Sequence, residues 1–410
     1  MTGMQDCKGR EKLVVIGAGM AATRFVEELT NRAHGRYDIL VIGEEPRPAY
    51  NRVLLSSVLA GELSVDDIEL KPSQWWRAAG VQVMSGCKVV EIDAAARRLF
   101  LDSGDRIDYS KVVLATGSRA ARLPIEGADL PGVHTFRDVQ DVEALSRLER
   151  KDARAVVIGG GLLGLEAAYG LAQRGVHVTL AHVLDRLMER QLDAVGADIL
   201  RRLVEENGVR VLLNASTTRI SGSGRVEEVE FADGRIIPAD AVIFAVGIRP
   251  NADLARQAGL DVGRGVIVDD GLETSAPGVF AIGECAEHRG VCYGLVEPAY
   301  EQGRILATRL AGEDVSYCGS VVSTNLKVSG VRVFSAGDYL GEDDARRIVC
   351  KDPRMGIYRK LVMRDDRLVG AILMGDTSGA AGLLDLIRSG ADISSMCDEL
   401  MFGSPMQKAA

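Results

Sequence analysis

"LVVIGAGMAATRFVEEL" (residues 13–29) and "AVVIGGGLLGLEAAYGL" (residues 155–171) share one grammar: a short apolar run, a glycine turn and a helical stretch. Residues 12–16 are rich in β-branched side chains and read as a strand buried on both faces of a parallel sheet. Gly17, Gly19 and Ala22 then make the G-x-G-x-x-A form of the dinucleotide fingerprint. Gly17 permits the tight turn, Gly19 leaves the backbone open to a pyrophosphate, and Ala22 lets the helix pack closely on the strand. Met20 and Ala21 open that helix, whose first N–H groups and positive dipole end favour phosphate. A second strand at residues 37–42 ends before Glu44 and Glu45, where an acid can hydrogen-bond ribose hydroxyls, with Glu44 the first choice.

The second stretch repeats the pattern with a full G-x-G-x-x-G, Gly159, Gly161 and Gly164, and its helix opens with Leu162 and Leu163. The following strand, "VHVTLAHV", ends on His182 rather than an acid. NADH calls for a carboxylate at such a strand end and NADPH for a cation near the 2′-phosphate, so the choice stays open here. NADH is the favoured of the two. Arg186 is a candidate cation, read more simply as a surface residue. Two nucleotide folds in series suggest two nucleotides, one reducing the other, and FAD with NAD(P)H is the natural pair.

The whole chain agrees with this reading. Its 410 residues are too many for one ordinary domain. With 47% apolar and 26% charged residues it has the composition of a globular protein. A net charge of −9 argues against a general nucleic-acid or anionic-membrane partner. No run is apolar and long enough to span a bilayer, and "MTGMQDCKGREK" lacks the apolar core of a signal peptide, so a cytoplasmic location is expected. The seven cysteines are scattered, without a CxxC, and predict neither a disulfide framework nor a metal site.

Further segments carry a resemblance. "KVVLATGSR" (111–119), "AVGIRPN" (245–251) and "GVFAIGECAEH" (278–288) resemble signatures of the two-dinucleotide-domain flavoprotein oxidoreductases, which include disulfide, rubredoxin and ferredoxin reductases and NADH oxidases. "PAYNRVLLSSVLAGE", "LMERQLD" and "STNLKVSGVRVFSAGD" are similar to the flavoprotein part of NADH-dependent assimilatory nitrite reductases and to the electron-transfer subunit of assimilatory nitrate reductase. The resemblance runs to about residue 400.

The family pattern implies an α/β chain of two Rossmann-like dinucleotide-binding domains plus a small C-terminal α+β domain. The FAD domain would be discontinuous, 1–120 and 247–315, around an NAD(P) domain at 121–246. Residues 316–398 would pack near the flavin, and 399–410 would form a tail. Gly17, Gly19 and Glu44 would hold the ADP half of FAD, Arg52 its phosphates, and Val89 the adenine. Ala115, Thr116 and Gly117 would lie along the FAD chain, with Arg137, Gly283, Glu284 and Val296 nearer the flavin. Gly161, Leu163, Gly164, Glu166 and Gly247 would hold the nicotinamide nucleotide. Glu166 would lie on the first turn of its helix, beside the nicotinamide, although a helical Glu is ordinarily solvated. No residue is marked as an acid or base.

Two departures shape the expected chemistry. Where disulfide reductases carry a redox CxxxxC, this chain reads "NRVLLSSVLAGE", which argues against dithiol chemistry. Related reductases continue into cysteine-rich iron–sulfur modules, whereas only Cys397 lies near "FGSPMQKAA", so no onward cluster is expected here. The expected activity is hydride transfer from NAD(P)H to FAD and electron delivery to an acceptor protein. That acceptor would be a nitrate or nitrite reductase subunit, or another iron–sulfur or haem protein. A rubredoxin or ferredoxin reductase, an NADH oxidase or quinone reductase, and an NADH-sensing flavoprotein are the alternatives.

Overall fold

The computed structural model describes residues 10–148, 152–328, 330–342, 344–394 and 400, with only the backbone for 325–328. The N-terminal leader reading, Cys7, Cys397, the tail and the side chain of Lys327 lie outside the described residues. The chain divides into two compact units. The first comprises residues 1–54, 64–119 and 248–320, and the second residues 55–63, 120–247 and 321–410.

The first unit is built on a five-stranded parallel sheet. Its order is Val279–Ala281, Lys111–Leu114, Glu11–Ile16, Tyr37–Gly43 and Val81–Ser85. The strand that precedes the first glycine turn lies in the middle, with Leu13 paired to Ile39 on one side and Lys111 on the other. Leu13, Val14 and Val15 are fully buried, which is why this strand reads as an unbroken apolar run. The helices Met20–Arg32 and Val296–Ala311 pack together, and Gly303 makes this possible: a Cβ there would sit 3.2 Å from the backbone nitrogen of Phe25.

The second unit repeats the plan. Its parallel sheet runs Val209–Leu212, His177–Ala181, Arg154–Ile158, Ala241–Phe244 and Val133–Thr135, again with the glycine-turn strand in the centre. The same unit carries a five-stranded antiparallel sheet, ordered Ser323–Val328, Val331–Gly337, Arg367–Met374, Ile357–Arg364 and Arg346–Asp352. The helix Ala380–Ser389 covers it, burying Leu383, Leu384 and Leu386. The fold class is therefore the expected one: two parallel α/β nucleotide folds and a small C-terminal antiparallel sheet with a helix. No helix among the described residues is long and apolar enough to cross a membrane.

Candidate functional site

Each glycine turn leaves the centre of its parallel sheet at the carboxyl ends of the strands, where open α/β sheets bind ligands. The two turns are closely alike. Gly17 has φ +110°, and a Cβ there would lie 2.2 Å from the carbonyl oxygen of Ala115. Gly159 has φ +121°, and a Cβ there would lie 2.2 Å from that of Ala245. Neither position accepts a side chain, by backbone conformation or by space. The next glycines differ in kind. A Cβ on Gly19 or Gly161 would meet nothing within 4 Å. Both residues cap their helices without a capping side chain, so the cap itself leaves the first-turn N–H groups unsatisfied. A concave, side-chain-free cradle beside uncapped N–H groups suits a pyrophosphate.

The structure brings most of the first-unit candidates together. Gly283, with φ +79°, approaches Ala21 so closely that a Cβ on it would be 3.0 Å from that of Ala21. Its N–H donates to Gln302 Oε1 at 2.7 Å, inside the core. Ser118 Oγ donates to Glu284 Oε2 at 2.8 Å, which sets the carboxylate beside Gly117. Thr116 Oγ1 donates to the Asn251 carbonyl at 2.8 Å and the Asn251 amide returns the bond to the Thr116 carbonyl at 2.9 Å. Val89, itself buried, begins an edge strand of a small antiparallel sheet, and Val296 is the first residue of its helix.

The acids after the second strand are engaged with cations. Glu44 pairs with Lys88 at 2.7 Å on the surface, both side chains more than half exposed. Glu45 accepts from Tyr50 Oη at 2.8 Å and pairs with Arg52, whose guanidinium lies 4.9 Å from the Tyr50 ring centroid. Arg137 falls in the second unit, after Val133–Thr135, and its N–H donates to Asp141 Oδ2 at 2.7 Å.

At the second turn, Gly164 packs its helix onto the turn: a Cβ would lie 1.9 Å from the Gly159 carbonyl oxygen. Leu162 and Leu163 begin that helix, and Gly247, φ +107°, has open space around it. Glu166 is the fifth residue of Leu162–Gln173, in its second turn rather than its first, and only 6% exposed. Burial pushes its carboxyl up to about 8, so at neutral pH it is mostly protonated. His182 is also buried. Its Nδ1 accepts the N–H of Gly160 at 3.0 Å, and its Nε2 faces Glu189 Oε2 at 3.4 Å. Burial pulls the imidazole below its ordinary value against the opposing pull of Glu189, so the ring is neutral at pH 7.

Sequence reasoning did not single out Glu189, Gln302 or Asp193. Glu189 and Asp193 lie in the "LMERQLD" segment that carries the resemblance, but each reaches its partner across a loop or between elements, so neither that segment nor periodicity shows which side chain it meets.

Residues 11–303 match the family model of pyridine nucleotide-disulphide oxidoreductases, and residues 323–391 match the rubredoxin NAD+ reductase C-terminal domain. The chain is 45% identical over 388 residues to a nitrite reductase [NAD(P)H] of Bacillus subtilis, covering 94% of this chain and 48% of that protein. It is 42% identical over 386 residues to an assimilatory nitrate reductase electron transfer subunit of the same organism, covering 94% and 50%. The chain thus spans about half the length of these relatives. Among solved structures, the covalent putidaredoxin reductase–putidaredoxin complex superimposes with a TM-score of 0.85 at 27% identity, covering 93% of this chain and 94% of that one. The chain belongs to the pyridine nucleotide-disulphide oxidoreductase family, whose members bind FAD and use NAD(P)H.

Proposed function

We propose that this member of the pyridine nucleotide-disulphide oxidoreductases binds FAD on the first glycine turn and a nicotinamide nucleotide, NADH in preference, on the second. Its task is to move electrons from NAD(P)H to an acceptor protein. The observation that carries this reading is the pair of equivalent cradles, one per unit, each with an obligatory glycine followed by an open one. FAD, when bound, supplies the step between a two-electron hydride donor and one-electron acceptors.

The chain's own residues position and tune. Gly17 and Gly159 shape the turns; Gly19 and Gly161 leave room for the pyrophosphates, and the helix N–H groups bind them. Glu284, steadied by Ser118, offers a carboxylate for a polyol chain, and Gln302 fixes the Gly283 turn beneath it. Glu166, protonated by burial, offers an O–H donor or a carbonyl acceptor to a neutral carboxamide and carries no charge to repel a hydride donor.

The acceptor is an iron–sulfur or haem protein, and a nitrite or nitrate reductase module is the foremost class, on the strength of the two Bacillus relatives. A rubredoxin is the second reading, favoured by the match of residues 323–391 to the C-terminal domain of rubredoxin reductases. We place the reaction in the cytoplasm, consistent with five free cysteines among the described residues.

Anaerobic stopped-flow tests the assignment. The purified protein should carry a visible flavin band that NADH bleaches within the mixing experiment. A protein that purifies without flavin, or bleaches only over minutes with both NADH and NADPH, would refute the reductase.

A further inference from the structure

The strand His177–Ala181 is followed at once by His182, where NADH-binding folds ordinarily place an acid. The loop that follows supplies one from another direction. Gly160, the middle residue of the turn, is held by that loop on both sides of its peptide group. Its N–H goes to His182 Nδ1 at 3.0 Å and its carbonyl accepts the N–H of Met188 at 3.0 Å. Leu187 and Met188 are fully buried, and Met188 sits in the left-handed region at φ +49°. The next residue, Glu189, is thereby fixed beside the turn. A third tie comes from the antiparallel sheet of the same unit, where Tyr339 Oη donates to the Glu189 carbonyl at 3.4 Å.

The imidazole sets what lies beside the charge. Because Nδ1 accepts from Gly160, the proton of the neutral ring is on Nε2, and that nitrogen lies 3.4 Å from Glu189 Oε2. The Glu189 side chain is 26% exposed, so its carboxylate stands between the buried ring and solvent. The cations nearby do not cancel it. Arg186 is paired with Asp185 at 3.1 Å, and Arg190 approaches Glu189 only to 3.9 Å with its side chain 86% exposed. Such an exposed pair contributes little.

We propose that Glu189, a loop residue, is the carboxylate that selects NADH over NADPH at the second glycine turn. It takes the part of the missing strand-end acid: it accepts a hydrogen bond from a ribose 2′-hydroxyl and repels a 2′-phosphate. This inference rests on the second turn being the nicotinamide-nucleotide site.

Calorimetric titration of the holoprotein with ADP-ribose and with 2′-phospho-ADP-ribose tests it independently of turnover. The unaltered protein should bind ADP-ribose at least ten-fold more tightly. Glu189→Gln should reduce that ratio about ten-fold, the range expected when a charge-assisted hydrogen bond and a like-charge repulsion are both removed. Glu189→Arg should invert it. In flavin reduction, the same variants should shift the NADH-to-NADPH ratio through KM and leave kcat near its starting value. A ratio unchanged in Glu189→Gln, or an equal loss of both probes, would overturn the assignment. If neither probe binds the unaltered protein, the nucleotide reading of the second turn falls first, and this inference with it.

Discussion

Gly160 and His182 are fitted to each other: the imidazole Nδ1 accepts the glycine N–H at 3.0 Å, and a Cβ on Gly160 would lie 2.7 Å from His182 Cγ. A proton on Nδ1 would turn this bond into a clash of two donors. The folded-state pKa lies below the unfolded value, so the unfolded chain binds more protons as pH falls below 6.5. The stability contributed by neutral His182 is therefore present above pH 6.5 and is lost as pH falls through the folded pKa. Denaturant midpoints between pH 5 and 7.5 should show this loss. His182→Ala should remove that part of the pH dependence and cost about 1–3 kcal/mol at pH 7.5, the penalty for an unsatisfied buried N–H.

The glycines of each turn should separate into two classes. Gly161→Ala adds a Cβ that meets nothing in the folded chain, so its melting temperature should stay within about 2 °C, as for a change below 0.5 kcal/mol. Its NADH affinity should nonetheless fall more than ten-fold, because the methyl occupies the pyrophosphate cradle. Gly164→Ala, by contrast, would strike the Gly159 carbonyl at 1.9 Å and should destabilise the unit by about 2 kcal/mol or more. Gly19→Ala and Gly17→Ala should divide in the same way for flavin retention. A Gly161→Ala variant with unaltered NADH affinity would sink the cradle argument.

Glu166 should make stability fall as pH rises. Its folded pKa is pushed up to about 8 from an ordinary 4.5, so the folded state holds a proton that the unfolded chain releases across that window. Without bound nucleotide, the protein should lose roughly 3–5 kcal/mol between pH 4.5 and 8 from this group alone. Glu166→Gln should flatten that slope and leave a protein more stable than the unaltered one at pH 8. Equal slopes in the two proteins would show that the carboxyl is not desolvated.

Asp193 joins two elements of the second unit, the helix Ala194–Glu206 and the strand Ile357–Arg364. It caps the helix Ala194–Glu206 through Gly196 N–H at 3.0 Å, accepts from Tyr358 Oη at 2.7 Å and pairs with the ammonium of Lys360 at 2.9 Å. Burial alone would raise its carboxyl, but the Gly196 N–H, Tyr358 and Lys360 together hold it below its ordinary value. Its contribution is thus present above about pH 4 and lost as pH falls through the folded pKa. Lys360 is only 5% exposed, so Asp193→Ala leaves an unpaired buried cation and should cost about 3–5 kcal/mol by denaturation at pH 7. Lys360→Met in the same background should recover part of the loss.

Much of the fold was legible in the sequence because its signals are local. Leu13, Val14 and Val15 read as a buried parallel strand since both faces of that strand are covered. Gly17 and Gly159 read as turn residues since the tight strand-to-helix turn needs a positive φ. The C-terminal strands at 331–337, 357–364 and 367–374 showed in their apolar runs, whereas Arg346–Asp352, an exposed edge strand of mostly charged residues, gave no such signal.

By itself, then, the sequence determined the two glycine turns, the parallel sheets around them and the class of ligand they suit, because period, glycine spacing and strand length act over fewer than about twenty residues. Only the tertiary structure decided the charge at the second turn. Residues 182 and 189 stand seven positions apart in a loop without period, and the packing of Leu187 and Met188 against the turn is what brings Glu189 within 3.4 Å of His182. It likewise decided that Glu166 is buried and protonated rather than solvated, since desolvation is a property of everything packed around a carboxyl and of no residue in particular.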